Sequence, residues 1–260
     1  MIMMKISIYF SMSILLASML FGCKKEVQIS EPLSQTISND VTAIDLSKCK
    51  IRRIYQPHPT QEGQTVSALF SYNKAGNPYS VIYSNGGTGV YDHYFIYDSQ
   101  NRLIEYQARW RLYPDVIHYY KYNDKNQIIV DSFKRSDGQG VYPYETVSKL
   151  EYDALGRVVK ATVVNTKNGD QPLNPIRRPT YTYDNRGNLG VNGWKSSSYD
   201  YKVNPLRQSP VFQFVSRNYS NNNAAKQARY NSLGLPLSMN PSNDTFFNDL
   251  VTLKVIYDCQ

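Results

Sequence analysis

Apolar positions along the chain recur with a period of two around a repeated tyrosine, and no helical period of useful length runs through residues 23–260. Two residues before Tyr72, Tyr97, Tyr122, Tyr152, Tyr183, Tyr230 and Tyr257 stand Phe70, Phe95, Tyr120, Leu150, Tyr181, Ala228 and Val255. That spacing puts each pair on one face of an incoming strand. After a short polar gap the apolar residues resume, as Leu103-Ile104, Ile128-Ile129 and Val158-Val159, which read as outgoing strands. Each copy predicts strand, tight turn, strand. The starts lie 25, 25, 30, 31, 47 and 27 residues apart. Longer loops are expected at 85–89, 136–142 and 165–178, and Pro172, Pro175 and Pro179 interrupt the chain before the fifth copy. The long interval between Tyr183 and Tyr230 predicts an extra hairpin with Val211 to Arg217 as one strand. Lys48 to Ile54 reads as an edge strand whose charges discourage further pairing.

The polar gaps carry two further columns. Directly after each tyrosine stands Asn73, Asp98, Asn123, Asp153, Asp184, Asn231 or Asp258. These short side chains accept a hydrogen bond from the backbone two residues on and so start a turn. Four residues after each of the first six tyrosines stands Gly76, Asn101, Asn126, Gly156, Gly187 or Gly234. Those residue types tolerate the positive φ that a hairpin with a left-handed or bulge position requires. The expected fold is all-β: antiparallel repeated β-hairpins forming a long twisted sheet that curls towards an open barrel or shell. At about twelve to fourteen strands, it exceeds what a flat open sheet usually carries.

The start of the chain has a different pattern. Lys5 is the one charge in a short n-region, Ile6 to Phe21 is an apolar run, and Leu20-Phe21-Gly22-Cys23 follows. The run is short and wrongly flanked for a membrane span and reads as an export signal. Its ending resembles the lipobox of bacterial lipoproteins, which implies cleavage before Cys23 and acylation of that cysteine. The alternative is an ordinary secretory signal with an incidental cysteine. On the lipobox reading, residues 1–22 are the signal peptide, 23–40 a polar tether and 41–260 the repeat domain. Lys24 and Lys25 stand where the family places an aspartate for inner-membrane retention, so the resemblance implies a cell-envelope protein anchored by lipid in the outer membrane.

Tyr152-Asp153-Ala154-Leu155-Gly156-Arg157-Val158 resembles the YD repeat of RHS-type proteins. The other copies depart from it: Asn replaces Gly at 101 and 126, and only Arg102 and Arg157 hold the arginine place. Tyr199 to Leu206, Asn218 to Asn223 and Tyr230 to Pro236 are similar to the C-terminal part of Bacteroidetes lipoproteins with degenerate YD-like repeats, the DUF4595-like group. With the lipobox, this resemblance covers most of residues 60–260. It implies a β-rich module with no assigned activity.

Composition reinforces the strand prediction, with 23 Tyr against 9 Phe and 2 Trp. Loss of residues 1–22 removes one lysine and no acid, lowering the formal charge from +8 to +7. No run of five or six basic residues occurs, so the charge reads as a solvated surface and no nucleic-acid partner is expected. With Cys23 acylated, Cys49 and Cys259 remain. In an oxidising compartment they can bond if the fold brings them together, and they stay as free thiols if it does not.

Candidate chemistry is sparse. His93 and His118 each precede a repeat tyrosine by four residues and can align on neighbouring strands, but two ligands do not make a metal site, and no metal or cofactor is expected. No G-x-S-x-G, H-E-x-x-H, P-loop or C-x-x-C occurs, so no residue is assigned a catalytic role. Glu105, Asp115, Glu145 and Glu151 are carboxylates from which a glycosidase pair could be drawn, at a separation that sequence does not set. Aromatic residues off the repeat columns, namely Tyr79, Tyr91, Trp110, Tyr113, Tyr142, Tyr144 and Trp194, are the candidates for a ligand-binding face. The function expected is a membrane-anchored extracytoplasmic module that binds or scaffolds a glycan or an envelope protein. The alternatives are a cell-envelope polysaccharide hydrolase or a purely structural envelope protein.

Overall fold

In the computed structural model the described residues are 46, 49–58, 61–84, 90–110, 113–136, 141–167, 176–191, 194–195, 199–224, 229–239 and 253–259. The chain divides into residues 1–38 and 39–260, and every described residue belongs to the second unit. The expected signal peptide, Cys23 and the tether lie outside the described residues.

Among the described residues fourteen strands form, all in antiparallel pairs. The first nine are β1 (Cys49–Pro57), β2 (Thr65–Tyr72), β3 (Pro78–Ser84), β4 (Asp92–Tyr97), β5 (Leu103–Trp110), β6 (Tyr113–Tyr122), β7 (Ile128–Arg135), β8 (Tyr144–Tyr152) and β9 (Val158–Lys167). They are followed by β10 (Tyr181–Tyr183), β11 (Leu189–Val191), β12 (Trp194–Lys195), β13 (Ser238–Met239) and β14 (Leu253–Cys259). Eleven strands make one open, twisted sheet in the order β13-β14-β1-β2-β3-β4-β5-β6-β7-β8-β9, and β10, β11 and β12 make a small second sheet. Residues 177–180 run along β9 through bridges at Lys160↔Thr180 and Val163↔Arg177.

β1 is an interior strand. It lies between β14 and β2, which corrects the expectation of an edge. Its register is interrupted between Ile51 and Arg53, and both Arg52 and Arg53 are exposed, so the charges do not obstruct the ladder. The partner that fills the other side, β14, lies about two hundred residues away in sequence, and no local signal tied it to β1. Cys49 and Cys259 stand opposite each other in that pairing and form a disulfide across a sequence separation of 210.

Residues 211–217 are not a strand. A turn of 3-10 helix, Pro205–Gln208, leads into α1, Pro210–Val215. The alternation of Phe212 and Phe214 imitates a strand, but Ser209 caps the helix by accepting from the Val211 N–H at 3.2 Å. Pro210 at the first helical position loses no backbone bond there. The hairpin in this interval is β11–β12 instead.

The main core lies on the inner face of the large sheet, where Ile54, Ala68, Phe70, Val81, Phe95, Tyr106 and Tyr120 are buried together with Leu206, Phe212 and Phe214 of the helical segment. Phe212 meets Phe70 edge-on at 5.9 Å and Phe95 at 6.0 Å, and Phe214 meets Tyr120 at 5.2 Å. Two polar anchors flank this aromatic contact. The bulge in β1 frees the Ile51 N–H, which donates to Gln208 Oε1 at 2.9 Å. Arg217 donates to Asp131 Oδ2 at 2.6 Å, and the other oxygen of Asp131 is 2.7 Å from His118 Nδ1.

Candidate functional site

The site is built from the repeat turns outward. Asp98 Oδ1 accepts from the N–H groups of Gln100 and Arg102, both at 2.9 Å. The same two bonds, to the second and fourth residues on, occur at Asn73, Asn123, Asp153, Asp184 and Asn231. In every copy the third residue on has positive φ: Gly76 (81°), Asn101 (62°), Asn126 (59°), Gly156 (75°), Gly187 (79°) and Gly234 (74°). Asp258, in β14, opens no described turn. The second oxygens of Asp98 and Asp153 accept from Arg102 and Arg157 at 2.7 and 2.8 Å. The Arg102 N–H and guanidinium hold the Asp98 carboxyl below its usual range. Burial opposes the same shift at Asp153, but the Arg157 bonds outweigh it. These aspartates are acceptors occupied by a turn and cannot donate a proton at neutral pH.

A second device links successive turns. Tyr97 donates its hydroxyl to Pro78 O at 2.7 Å, Tyr122 to Leu103 O at 2.9 Å, Tyr152 to Ile128 O at 2.6 Å and Tyr183 to Val158 O at 3.1 Å. Tyr257 does the same to Pro236 O at 2.8 Å. Each acceptor is the first residue after the preceding turn, beyond the end of the pairing with the next hairpin. The β3–β4 register covers only Ser80↔Tyr94 and Val81↔His93, so Pro78 O has no strand partner there. The hydroxyl satisfies it. Burial pushes the Tyr122 and Tyr152 phenols up to about 12, so both stay protonated donors.

Tyr199-Asp200 proves to be a further copy, which the missing glycine concealed. Tyr199 donates to Leu189 O at 2.8 Å, the carbonyl that the ladder rule requires. Asp200 Oδ1 accepts from Lys202 N at 2.9 Å, as in every other turn. Its second backbone donor is Asn223 N at 3.1 Å, and Asp200 N returns a bond to Asn223 O at 3.0 Å. Asn223 therefore stands where residue 204 would in an uninterrupted copy. The residues between hold the 3-10 turn and α1.

This insertion turns the inner end of the ladder into a groove of about 370 Å³. One wall is made of Tyr97, Tyr122 and Tyr152, with Leu103 and Ile128 between them; the other is Val211, Phe214 and Tyr219. The tyrosine hydroxyls are committed to carbonyls, which leaves ring surface for the groove. Five amide side chains, Asn77, Gln100, Asn101, Asn126 and Gln127, stand along the rim. Among the described lining residues there is no carboxylate and one cation, Arg102, which Asp98 neutralises and which lies 4.9 Å from the centre of the Tyr122 ring. Such a lining suits a flat, uncharged, hydroxyl-rich ligand: apolar faces stack on rings while amides exchange hydrogen bonds.

Of the aromatics singled out in the sequence, those with described side chains, Tyr79, Tyr91, Trp110 and Tyr142, do not line this groove. Tyr79 is 57% exposed on β3, and Tyr91 packs against the main core. Strand register places Trp110 opposite Tyr113 and Tyr144 opposite Arg135, at the strand ends remote from the turns. The Trp110 backbone N–H donates to Asp115 Oδ2 at 2.7 Å. Tyr142 belongs to the same region: burial raises its phenol, and Tyr119, Asp115 and Glu105 nearby add to the shift. Trp194 lies apart in β12. The side chains of Tyr113, Tyr144 and Trp194 lie outside the described residues. Glu105 accepts from Gln107, Glu151 pairs with Lys160 at 2.6 Å, and Glu145 lies opposite Lys134 in register.

The two histidines do align on the inner face. Their rings flank that of Tyr106, at centroid distances of 5.8 Å for His93 and 5.5 Å for His118, and His93 Nδ1 is 2.7 Å from the Tyr106 oxygen. Among the described residues no group of three metal-ligating side chains forms. Burial pulls His93 down to about 4, so it is neutral at physiological pH.

Fold and groove together define an open antiparallel β-repeat module with one helical insertion. No family model matches the chain, and no curated protein matches it. Solved structures give partial similarity. A crystal structure of TcdB2-TccC3-Cdc42 aligns at 16% identity over 53% of this chain and 8% of that one, with a TM-score of 0.23. A Photorhabdus luminescens Tc holotoxin pore aligns at 18% identity over 53% and 8%, TM-score 0.21. An S. aureus TarM variant in complex with fondaparinux, alpha-GlcNAc-glycerol and UDP aligns at 14% identity over 44% and 21%, TM-score 0.20. The chain spans less than a quarter of each of these proteins, and similarity of this degree assigns it neither a fold nor an activity.

Proposed function

We propose that the protein is a lipid-anchored lipoprotein of the cell envelope, acylated at Cys23 and held in the outer membrane, whose β module binds an uncharged glycan without turning it over. The observation that carries this reading is the groove between the tyrosine ladder and α1, with its aromatic walls, its amide rim and its neutralised cation. The repeat aspartates are engaged in turns and the groove lining holds no described carboxylate, which favours binding over hydrolysis.

A glycan array probed with the purified protein tests the ligand class. Retention on neutral oligosaccharides with none on their uronic-acid or sulfated counterparts is expected; preference for acidic glycans, or no retention, overturns it. Palmitate labelling of the wild type and its loss in Cys23→Ala tests the anchor separately.

A further inference from the structure

A second surface, on the outer face of β14, β1, β2 and β3, has a different chemistry from the groove. The interruption at Ile51/Arg53 leaves two consecutive arginines exposed. Across the four strands Ile256, Arg53, Leu69 and Ile82 stand in one register row, and Leu69 and Ile256 are 53% and 41% exposed. In the next row Tyr55 lies between two cations, with the Arg53 guanidinium 5.4 Å and the Lys254 ammonium 5.8 Å from its ring centre. A shallow hollow of about 510 Å³ lies among Arg52, Arg53, Leu69, Ile82 and Ile256. These four strands contain one acid, Asp258, against Lys50, Arg52, Arg53 and Lys254, and the Lys50 ammonium is bound to Gly76 O at 2.6 Å. The outer rows of β5 to β9 are mixed in charge by comparison, with Glu105, Glu145 and Glu151 set among Lys134, Lys149 and Lys160.

We propose that this face lies against an anionic lipid surface. Arg52, Arg53 and Lys254 meet the phosphates, while Leu69, Ile82 and Ile256 enter the boundary between headgroup and acyl chain. Each cation near such a surface adds to the attraction. Exposed branched side chains between them distinguish lipid from a soluble polyanion, which has no apolar layer to cover Leu69 and Ile256. The attraction weakens with salt, since exposed charges are screened over about 10 Å at 0.1 M.

Oxidative footprinting of the full-length protein reconstituted in vesicles reads this directly. The vesicles are phosphatidylcholine alone or an equimolar mixture with phosphatidylglycerol. Labelling of Tyr55, Leu69 and Ile256 is expected to fall severalfold on the anionic vesicles relative to the neutral ones, with Leu155, at a turn, unchanged as internal control. Arg52→Glu with Arg53→Glu is expected to abolish the difference while leaving the thermal midpoint in place. Equal labelling on both vesicles overturns the proposal. So does equal protection by soluble inorganic polyphosphate without vesicles, which would make the face a polyanion site.

Discussion

The turn at Asp153 and the turn at Asp200 solve the same problem with very different lengths of chain. At Asp153 the carboxylate gathers the N–H groups of Leu155 and Arg157, and the next strand starts at Val158. At Asp200 the same oxygen gathers Lys202 and Asn223, and a 3-10 turn and a helix stand between the two donors. The Asx side chain needs two N–H groups in place and is indifferent to what the chain does between them. Loop closure costs grow only slowly with length, so a turn of this kind accepts an insertion without losing its geometry. The regular turns build a scaffold; the interrupted one supplies the groove's second wall.

The disulfide closes a loop containing both regions. Replacing Cys49 and Cys259 with Ser removes a cross-link over 210 residues, and the chain-entropy limit for such a loop is about 5 kcal/mol. Denaturant titration of oxidised, reduced and double-Ser protein should show that loss as a lower midpoint, with the double variant matching the reduced wild type.

Next in size is the contrast between the two regions themselves. Phe212→Ala, in the insertion, opens a cavity against Phe70 and Phe95 and should cost about 3 to 5 kcal/mol. Leu155→Ala, in the Asp153 turn where Leu155 is 77% exposed, should stay within about 0.5 kcal/mol. Equal losses would mean that α1 is not packed into the sheet.

The regular region also carries the pH dependence. His93 is neutral in the fold, pulled by burial to about 4, whereas the unfolded chain protonates near 6.5. Between those values the unfolded state holds more protons, so stability falls as pH drops from about 6.5 to about 4. The total is about 3 kcal/mol, with no contribution from this group above that window. His93→Phe should flatten the difference in stability between pH 7 and pH 4 by that amount, measured by urea midpoints at both pH values.

The smallest effect tests the ladder. Tyr122→Phe in the regular region and Tyr199→Phe beside the insertion each remove one hydroxyl from a carbonyl, of Leu103 and Leu189, and each should cost about 1 kcal/mol. A loss at Tyr122 with none at Tyr199 would show that the interrupted copy has left the ladder.

The turns were readable in the sequence because their causes are local. Asx at one position and a residue tolerant of positive φ three places later have a single chemical purpose. Their recurrence predicted the hairpins, the antiparallel sheet and its approximate strand number. What was not readable depends on distant partners. β1 looked like an edge because β14 joins it from the far end of the chain. Tyr199-Asp200 stood outside the repeat columns because its second donor is Asn223. α1 looked like a strand because two alternating phenylalanines outweighed a single capping serine. The groove was not legible for a related reason: one wall is made of repeat tyrosines whose hydroxyls are already committed, and the other comes from a helical insertion that no repeat announces.

On the function proposed above, the interrupted turn supplies the second wall of a sugar-binding groove. This is tested most directly by calorimetric titration of the neutral oligosaccharide best retained on the array into wild type and Val211→Arg. Val211 lines the groove from α1, packs partly buried against the core and takes part in none of the ladder bonds. Saturable binding to the wild type and none to Val211→Arg is expected, with the variant still folding cooperatively and any lowering of its thermal midpoint leaving it native at the titration temperature. Undiminished binding to a folded Val211→Arg would contradict it and move the ligand elsewhere on the protein.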